Sequence, residues 1–522
     1  MNLDLSDRKL TRRAFLRSAV GSLSAAVLAA CGASTATAPT AAPAATAAPV
    51  APTTAPVATA AQATAAPAAT VAPTTAAAAT TAPVATAAPA AKPTNTPAPL
   101  PEGSAGKLTV IHRTEYFADV QNIFRDNVTA YAKNKGIQLD ISTANPEAFG
   151  DFNAKMSAAV KAGNPPDLGY HTLSIPQLYF LDVLEDLSDV VEEAQKRYGD
   201  IVPVIAAKNA QIEGKWYAVP FMANAGAWFA RRDLLEAKGI KPEELDTYDK
   251  RRDAALAVSD PAKEVWGWGI TINKSGDGHA FITHVIQSFG GRFVDKTGEK
   301  VTFNSPETVN GVRWLSELYT SPKYKDTIPP GVLSWTDPTN NENYLAGKVA
   351  FTANAFSIYG KAIKDKNPLL AKTAILRAPK ANDGTVLEAG GNGWFTIFKG
   401  AKNVDAAKDL ILYMIDPANF MPMVKGGGGL FLPAYKNLWT PEVVNQDPNF
   451  KTLQDIIFND VQYTYQSYPA SPNAAIAGID GQAILSQMMS NIVNGSMQPE
   501  QAVEDANGKM VQIFEELGLP QS

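Results

Sequence analysis

A stretch made almost entirely of alanine, threonine and proline limits where this chain can fold. It runs from residue 33 to residue 99 and holds a single charged residue, Lys92. Without large apolar side chains at helical or strand spacing, it cannot build a hydrophobic core. Its frequent prolines favour an extended, polyproline-like backbone. We therefore expect residues 31–105 to form a disordered tether, with the folded body beginning near residue 106.

The residues before the tether have the pattern of an export signal. Five basic residues precede a short apolar run from Ala19 to Ala30. This run is shorter than the roughly 20 residues that a membrane-spanning helix needs. A basic region, a short apolar region and small residues at the end are typical of signals removed after export. Because residues 11–17, TRRAFLR, also resemble a twin-arginine signal, the sequence predicts a signal peptide of that kind at residues 1–30.

Cys31 follows at once and is the only cysteine of the 522 residues. A single cysteine excludes an intramolecular disulfide, a CxxC redox pair and a multi-cysteine zinc site. Residues 28–31, LAAC, resemble the bacterial lipobox, in which the cysteine receives lipid and becomes the new N-terminus. This resemblance implies lipid attachment at Cys31 and a cell-surface lipoprotein anchored to the outer face of the bacterial cytoplasmic membrane.

The chain left after removal of the signal is acidic. Without residues 1–30, the count falls from 46 basic and 51 acidic residues to 41 and 49, a formal charge of −8. This balance and the lack of basic runs argue against nucleic acid as a partner. No later stretch approaches 18 consecutive apolar residues, so no spanning helix is predicted there. A body from residue 107 to residue 522 is long enough for two lobes.

The body opens with alternating strand and helix patterns. Strands are predicted at 107–112, 137–142 and 167–171, and helices at 118–136 and 148–163. Such alternation predicts an α/β fold in which helices cover the faces of a parallel sheet. Ligands of such sheets bind beyond the carboxyl ends of the strands. We therefore expect any site to lie near residues 112–116, 142–145 and 170–172.

Six segments resemble, in the same order, those of the carbohydrate-binding, maltose-binding-like family of bacterial extracellular solute-binding proteins. Tyr344 and Phe351 stand where that family more usually has Phe and Met. The segments are AAVKAGNPPDL (158–168), EGKWYAVPFMANAGAWFARRDLLEAKGI (213–240), FGGRFVDKTGEKVTFNSPETVNGVRWLSELY (289–319), NYLAGKVAFTAN (343–354), GGNGWFTIFKGAKNVDAAKDLILYM (390–414) and GGGLFLPAY (427–435).

The resemblance implies a two-lobed clamshell of the type II periplasmic-binding-protein fold, with the ligand cleft between the lobes. Lobe 1 would comprise residues 106–220 and 386–428, and lobe 2 residues 221–385 and 429–522. The implied function is that of the extracellular substrate-binding component of an ABC importer. Such a protein captures a sugar or oligosaccharide by lobe closure and delivers it to the transmembrane subunits of a permease. A monomer is expected, and no cofactor is needed.

The sequence shows no catalytic motif. A G-x-S-x-G elbow, a Walker A loop and an H-E-x-x-H zinc motif are all missing from it. Of the four histidines, His112, His171, His279 and His284, the last two are five residues apart. That is an awkward spacing for two metal ligands on one helix face, so hydrogen-bonding or core roles fit better. The sequence therefore predicts neither an enzyme nor a metal site.

Sugars present hydroxyl groups for polar side chains and apolar faces that stack on aromatic rings. Trp228, Trp335 and Trp394 are candidate stacking residues because they lie beside predicted strand ends, whereas Trp266 and Trp314 are expected to be structural. For every candidate, a core or loop-stabilising role is the alternative, above all for the aspartate of the PPD segment. The remaining ligand-binding candidates follow strand ends: Glu115, Tyr116, Asn145, Asp167, His171, Asn224, Asn354, Phe356 and Asn392.

Two other functions stay open at this point. The same fold could bind a polyamine, a peptide or another small solute, and Glu115, Tyr116 and Asp167 could supply part of an aromatic and acidic box for a cation. A protein of another class, a surface-anchored polysaccharide hydrolase, would need two carboxylates at a set separation. The sequence cannot show such a separation.

Overall fold

The computed structural model describes residues 103–144, 149–464 and 466–521. The predicted signal peptide, Cys31 and the predicted tether as far as residue 102 therefore lie outside the described residues. The strands are β1 (Lys107–Arg113), β2 (Gln138–Ala144), β3 (Leu168–His171), β4 (Gln211–Ile212), β5 (Lys215–Trp216), β6 (Val219–Arg231), β7 (Trp266–Trp268), β8 (Val349–Ala355), β9 (Thr373–Leu376), β10 (Glu388–Ile397), β11 (Leu432–Pro433) and β12 (Val461–Tyr463).

Helices cover the faces of these strands and make up most of the C-terminal part. None of those in the described ranges is both long and apolar enough to cross a membrane. They are α1 (Ala118–Lys135), α2 (Phe149–Lys161), α3 (Ile175–Phe180), α4 (Ser188–Tyr198), α5 (Ile205–Ala210), α6 (Arg232–Glu236), α7 (Tyr248–Val258), α8 (Gly276–Ser288), α9 (Pro306–Thr320), α10 (Asp337–Leu345), α11 (Ser357–Lys364), α12 (Val404–Ile415), α13 (Pro417–Gly427), α14 (Pro441–Val444), α15 (Phe450–Asp455), α16 (Ala474–Gly481), α17 (Ile484–Val493) and α18 (Pro499–Glu516).

The predicted parallel sheet is confirmed. β1 pairs in parallel with β2 on one side and β3 on the other, and the five interior residues of β1 are buried, as expected of a strand covered on both faces. α1 ends where the sequence predicts, at Gly136, whose φ of 66° is the left-handed conformation that favours glycine. The main sheet runs in the order β2–β1–β3–β10–β6–β8–β7.

β6 is 13 residues long, and its two halves pair with different strands. Its residues from Val219 to Ala225 pair antiparallel with β10. Its residues from Gly226 to Arg231 pair instead with β8 and β9. The long strand therefore leads the chain out of one half of the sheet and into the other, and β10 brings it back.

Two hydrophobic clusters lie on either side of this crossing. The first cluster includes Leu108, Phe124, Tyr170, Phe221 and Phe395, around β1, β3 and β10. The second cluster includes Trp228, Trp268, Ile282, Leu315 and Met489, around β7, α8, α9 and α17. Some residues between Val332 and Tyr359 also join the first cluster.

The C-terminal part divides between the two clusters. The sequence predicts lobe 2 for all of residues 429–522, but buried side chains from Phe431 to Val461 pack in the first cluster. Those from Ala470 to Phe514 pack in the second. The difference has a local cause: β11 pairs antiparallel with the first half of β6, at Met222 and Ala223, and so keeps the chain there.

Candidate functional site

Two charged side chains lie at the carboxyl end of β1, one on its last residue and one just after it. Nε of Arg113 is 3.5 Å from Oε2 of Glu115, and Nη1 of Arg113 donates to Oγ1 of Thr172 at 3.1 Å. The Glu115 side chain is only 2% exposed, and burial raises its pKa although Arg113 opposes the shift. Within the described part of the chain, its Oε1 has no hydrogen-bond partner. Arg113 and the Tyr170 hydroxyl both oppose the rise of its pKa, so the carboxyl group lies buried between these two side chains.

His171 ends β3 beside this pair, but both of its ring nitrogens are used. Nδ1 accepts from the backbone N–H of Leu173 at 3.1 Å, so Nε2 carries the proton and donates to Oγ1 of Thr396 at 3.0 Å. Burial, with a smaller effect of Arg113, lowers its pKa to about 3. The neutral ring therefore fixes the end of β3 and has no nitrogen left for a ligand.

Tyr116 and Asn354 are brought together, although 238 positions separate them in the sequence. The Tyr116 side chain is 40% exposed, and its hydroxyl accepts from Nδ2 of Asn341 at 3.3 Å. Nδ2 of Asn354 donates to Oδ1 of Asn341 at 2.6 Å and to Oδ1 of Asn340 at 3.0 Å. The candidate after β1 thus meets the candidate on β8 through two asparagines of α10, and we call these four residues the amide bridge.

The sequence reasoning missed Asn340 and Asn341, although the consecutive pair in DPTNNENY was a visible signal. It also missed two aspartates beyond them. Nδ2 of Asn340 donates to Oδ2 of Asp277 at 2.8 Å, and Oδ1 of Asp337 accepts from the backbone N–H of Asp277 at 3.0 Å. Burial, and then the charge of Asp337, raises the pKa of Asp277 well above its usual value. The amide bridge therefore continues into a partly buried acidic pair.

The strands that connect the two clusters supply further polar groups. Asn392 on β10 is buried, and its Nδ2 donates to the carbonyl of Val202 at 3.2 Å. Its Oδ1 has no hydrogen-bond partner among the described residues. Asn224 on β6 is half-buried and pairs with Gly391 across the strands. These two candidates lie where the chain passes between the clusters.

Four aromatic candidates are instead buried inside the protein. Trp228 is 3% exposed in the second cluster, where its ring meets that of Trp268 edge to face at 5.2 Å. Trp394 and Phe356 are each 1% exposed and Trp335 is 8% exposed, all three in the first cluster. Their rings pack against protein side chains. Trp394 lies opposite His171 in the pairing of β10 with β3, and Phe356 follows Asn354 by two residues, but both rings are buried.

Asp167 lies at the opposite, amino end of β3. Its carboxylate accepts five hydrogen bonds of 2.8–2.9 Å, from the backbone N–H and Oγ1 of Thr109, the backbone N–H of Lys402, and the backbone N–H and Nδ2 of Asn403. The structure therefore gives this side chain a fold-stabilising role. Asn145 lies outside the described residues.

Two other residues singled out in the sequence, Trp314 and His279, bond neighbouring side chains. Trp314 is 5% exposed, and its Nε1 donates to Oδ1 of Asp249 at 2.8 Å. His279 bonds Asp480 and Ser486, at 2.9 and 3.1 Å. Across the residues the structure describes, no three His, Cys, Asp or Glu side chains are placed to hold a metal ion together.

Comparisons with known proteins agree with this architecture. The family model described as "Bacterial extracellular solute-binding protein" matches residues 127–452. An arabinooligosaccharide-binding protein of Bacillus subtilis is 24% identical over 236 residues, which are 44% of this chain and 50% of that protein. A mannitol-binding protein of Pseudomonas aeruginosa is 25% identical over 251 residues, 47% of this chain and 49% of that protein. The chain thus spans about half the length of these two relatives.

Solved structures match over a longer part of the chain. Maltose-bound MalE3 of T. maritima superposes with a TM-score of 0.65 at 19% identity, covering 77% of this chain and 98% of that one. A solute-binding protein of Agrobacterium vitis with bound D-mannitol gives a TM-score of 0.64 at 22% identity, covering 80% and 100%. At such identities the likeness establishes the fold, that of a maltose-binding-protein-like periplasmic binding protein.

Proposed function

Because the chain belongs to the bacterial extracellular solute-binding proteins, we propose that it is the substrate-binding component of an ABC importer and carries a sugar or oligosaccharide. The family places the protein outside the cytoplasm. Relatives named for arabinooligosaccharide and mannitol binding support a carbohydrate as the ligand. The single observation that carries the proposal is the amide bridge, because it joins a side chain after β1 to side chains of α10 and β8.

The mechanism follows from this placement. A ligand that bonds the exposed Tyr116 hydroxyl and the amides of Asn341 and Asn354 contacts groups from both sides of the crossing strands. Binding to both sides favours the closed over the open arrangement. The closed protein then presents one combined surface to the permease, and the carrier itself performs no chemical step.

We further propose that Cys31 carries lipid and that the Ala/Thr/Pro stretch links this anchor to the body. The LAAC sequence and the preceding basic and apolar regions support the anchor. Incorporation of labelled palmitate into the wild-type chain, but not into a Cys31→Ser variant, is the expected result. Equal labelling of the two chains would contradict the proposal.

We also propose that lobe 1 extends beyond residue 428 to about Val461. The burial of side chains such as Leu438 and Leu453 in the first cluster supports this extension. The last part of the chain, from about Ala470, would then complete lobe 2.

Calorimetric titration with maltotriose, arabinotriose, mannitol and spermidine tests the ligand class. We expect one sugar class to bind and Asn354→Ala to weaken it by about tenfold, the effect of losing a hydrogen bond or two. Asn491→Ala, which alters an equally half-buried asparagine of α17, serves as the matched control and should leave the affinity unchanged.

Three outcomes would each overturn one part of the proposal: the sugar, the carrier role or the site. Binding of spermidine alone would keep the fold and replace the ligand by a polyamine. Hydrolysis of a chromogenic glycoside, lost on changing one carboxylate, would favour a surface hydrolase. Equal effects of Asn354→Ala and Asn491→Ala would exclude the amide bridge from the site.

A further inference from the structure

A cavity of about 380 Å³ lies apart from the candidate site and shares none of its residues. It opens between the end of β9, the segment before α7 and α15. Part of its wall is apolar, including Leu245, Leu376, Ala378 and Val386. Thr452 of α15 also lines the cavity, next to Leu453 of the first cluster.

Arg251 lines this cavity and is a buried cation whose hydrogen-bonding capacity is incompletely used. Its side chain is 2% exposed, its Nε donates to the carbonyl of Leu245 at 2.9 Å, and its Nη2 donates to the carbonyl of Arg377 at 2.7 Å. The guanidinium lies over the Trp228 ring, 4.8 Å from its centroid. Within the described ranges, Nη1 has no hydrogen-bond partner.

A buried charge without a charged partner is costly, and carbonyls and an indole ring offset only part of that cost. No carboxylate of the described residues forms an ion pair with Arg251 at 4.0 Å or less. Burial lowers the pKa of Arg251 to about 10, so the group stays cationic at neutral pH. Glu388 and Asp246, the carboxyl groups whose charges act on Arg251, form no ion pair with it, so its Nη1 is a buried donor without an acceptor in the described part of the chain.

The other cations around the cavity are paired with carboxylates. Arg232, Arg377 and Lys380 line it together with Arg251, against two carboxylates, Asp246 and Glu243. Asp246 is already bonded by Lys250 at 2.6 Å and by Lys380 at 3.0 Å. Arg377 pairs with Asp460 and Arg232 lies 4.0 Å from Glu236. Arg251 is thus the lining cation without an ion pair in the described ranges, and its charge favours a monoanion over a neutral solute.

From this juxtaposition we propose that the cavity is a binding site for a small organic carboxylate. The carboxylate would bond the unpaired Nη1 of Arg251, and its apolar body would cover Leu245, Leu376 and Val386. One free buried donor and apolar walls suit a carboxylate with a hydrocarbon part better than inorganic phosphate, which needs several donors. The site is separate from the sugar site and does not rest on the proposed transport function.

Benzoate and hexanoate, titrated into the full chain by calorimetry, test the proposal, with benzyl alcohol as the neutral match of benzoate and inorganic phosphate as the polar anion. We expect single-site binding of the two carboxylates. Benzyl alcohol should bind at least about tenfold more weakly, the difference that a hydrogen bond to a charged group makes. Phosphate should be weaker than either carboxylate.

Three variants assign the site. Arg251→Met should abolish benzoate binding while thermal unfolding reports whether the chain still folds. Because a buried arginine can be needed for folding, Arg232→Ser is the second variant: its side chain is 45% exposed and faces Glu236 one turn along α6. Arg197→Ser is its matched control, since Arg197 is also 45% exposed and pairs with Glu193 at the same spacing in α4.

Arg232→Ser should weaken benzoate severalfold, whereas Arg197→Ser should not change its affinity. The proposal is overturned if neither carboxylate binds the wild-type chain, if benzyl alcohol binds as well as benzoate, or if phosphate binds more tightly. Equal effects of the two serine variants would also overturn it. Sugar titrations of the same samples separate these results from a failure of the transport function.

Discussion

At the scale of single residues, the carboxylate of Asp167 joins three separate parts of the chain. Replacing it by alanine leaves buried donors of Thr109, Lys402 and Asn403 without an acceptor. We expect Asp167→Ala to lower the free energy of unfolding by about 3 kcal/mol or more, and urea denaturation measures it. Asp140→Ala is the control, because Asp140 is 42% exposed with one contact, at 3.4 Å, and should cost within about 0.5 kcal/mol. Similar losses for both would contradict the prediction.

Glu388, at the start of β10, should make stability depend on pH. Burial raises its pKa from 4.5 to about 8; Asp460 adds to the shift, while the backbone N–H of Ala389 and the charge of Arg251 oppose it. The native carboxyl group therefore stays protonated where the unfolded one ionises. The free energy of unfolding should fall as pH rises from about 4.5 to about 8.

Melting temperatures at pH 5 and pH 8 measure this effect. Glu388→Gln, which cannot ionise, should gain stability relative to the wild type at pH 8 and lose that advantage near pH 5. The exposed Glu342 provides a control, since Glu342→Gln should leave the difference in melting temperature between pH 5 and pH 8 unchanged. A wild-type pH dependence that survives in Glu388→Gln would assign the effect to another group.

At the scale of elements, two adjacent glycines of β10 differ in how closely other atoms approach. A Cβ on Gly390 would lie 2.7 Å from the carbonyl oxygen of Asn224 and 2.7 Å from the Val461 side chain, whereas one on Gly391 would meet nothing nearer than 3.9 Å. We expect Gly390→Ala to cost about 1–3 kcal/mol by overpacking. Gly391→Ala should be neutral or slightly stabilising, because it restricts the unfolded chain. Thermal unfolding of both variants compares them directly, and equal costs would argue against close strand approach at Gly390.

The helices and strands were also the features that the sequence predicted best. Periodic apolar residues located β1, α1 and β3 to within about two residues, because a buried face repeats regularly along the chain. Side-chain surroundings were harder. A tryptophan on a strand can face a cleft or a core, and Trp228 and Trp394 face cores. Asn340 and Asn341 enter the candidate site because Tyr116, 225 positions before Asn341, reaches α10, a contact between distant segments that no local pattern encodes.

At the scale of the whole molecule, the two sides of the crossing strands contact each other at several places in the described ranges. One is the bond between Tyr116 and Asn341, and another is the packing of α3 against α16. Tyr116→Phe removes the first bond and keeps the ring. We expect the unliganded protein to become more open, with a larger radius of gyration in X-ray scattering and an unchanged melting temperature. Tyr413→Phe, on α12 beside Tyr131, should change neither quantity. An unchanged radius for Tyr116→Phe would show that this bond does not affect closure.

The repeated passage of the chain between the clusters, at β6, at β10 and after Val461, has a mechanical consequence. A single connecting segment would allow swivelling in any direction, whereas several side by side resist twisting and leave one easy bending axis. The two halves should then open and close about a single hinge axis. A solute bound between the halves is then released along one direction. The closed protein of the proposed function presents its two halves to the permease in one relative orientation.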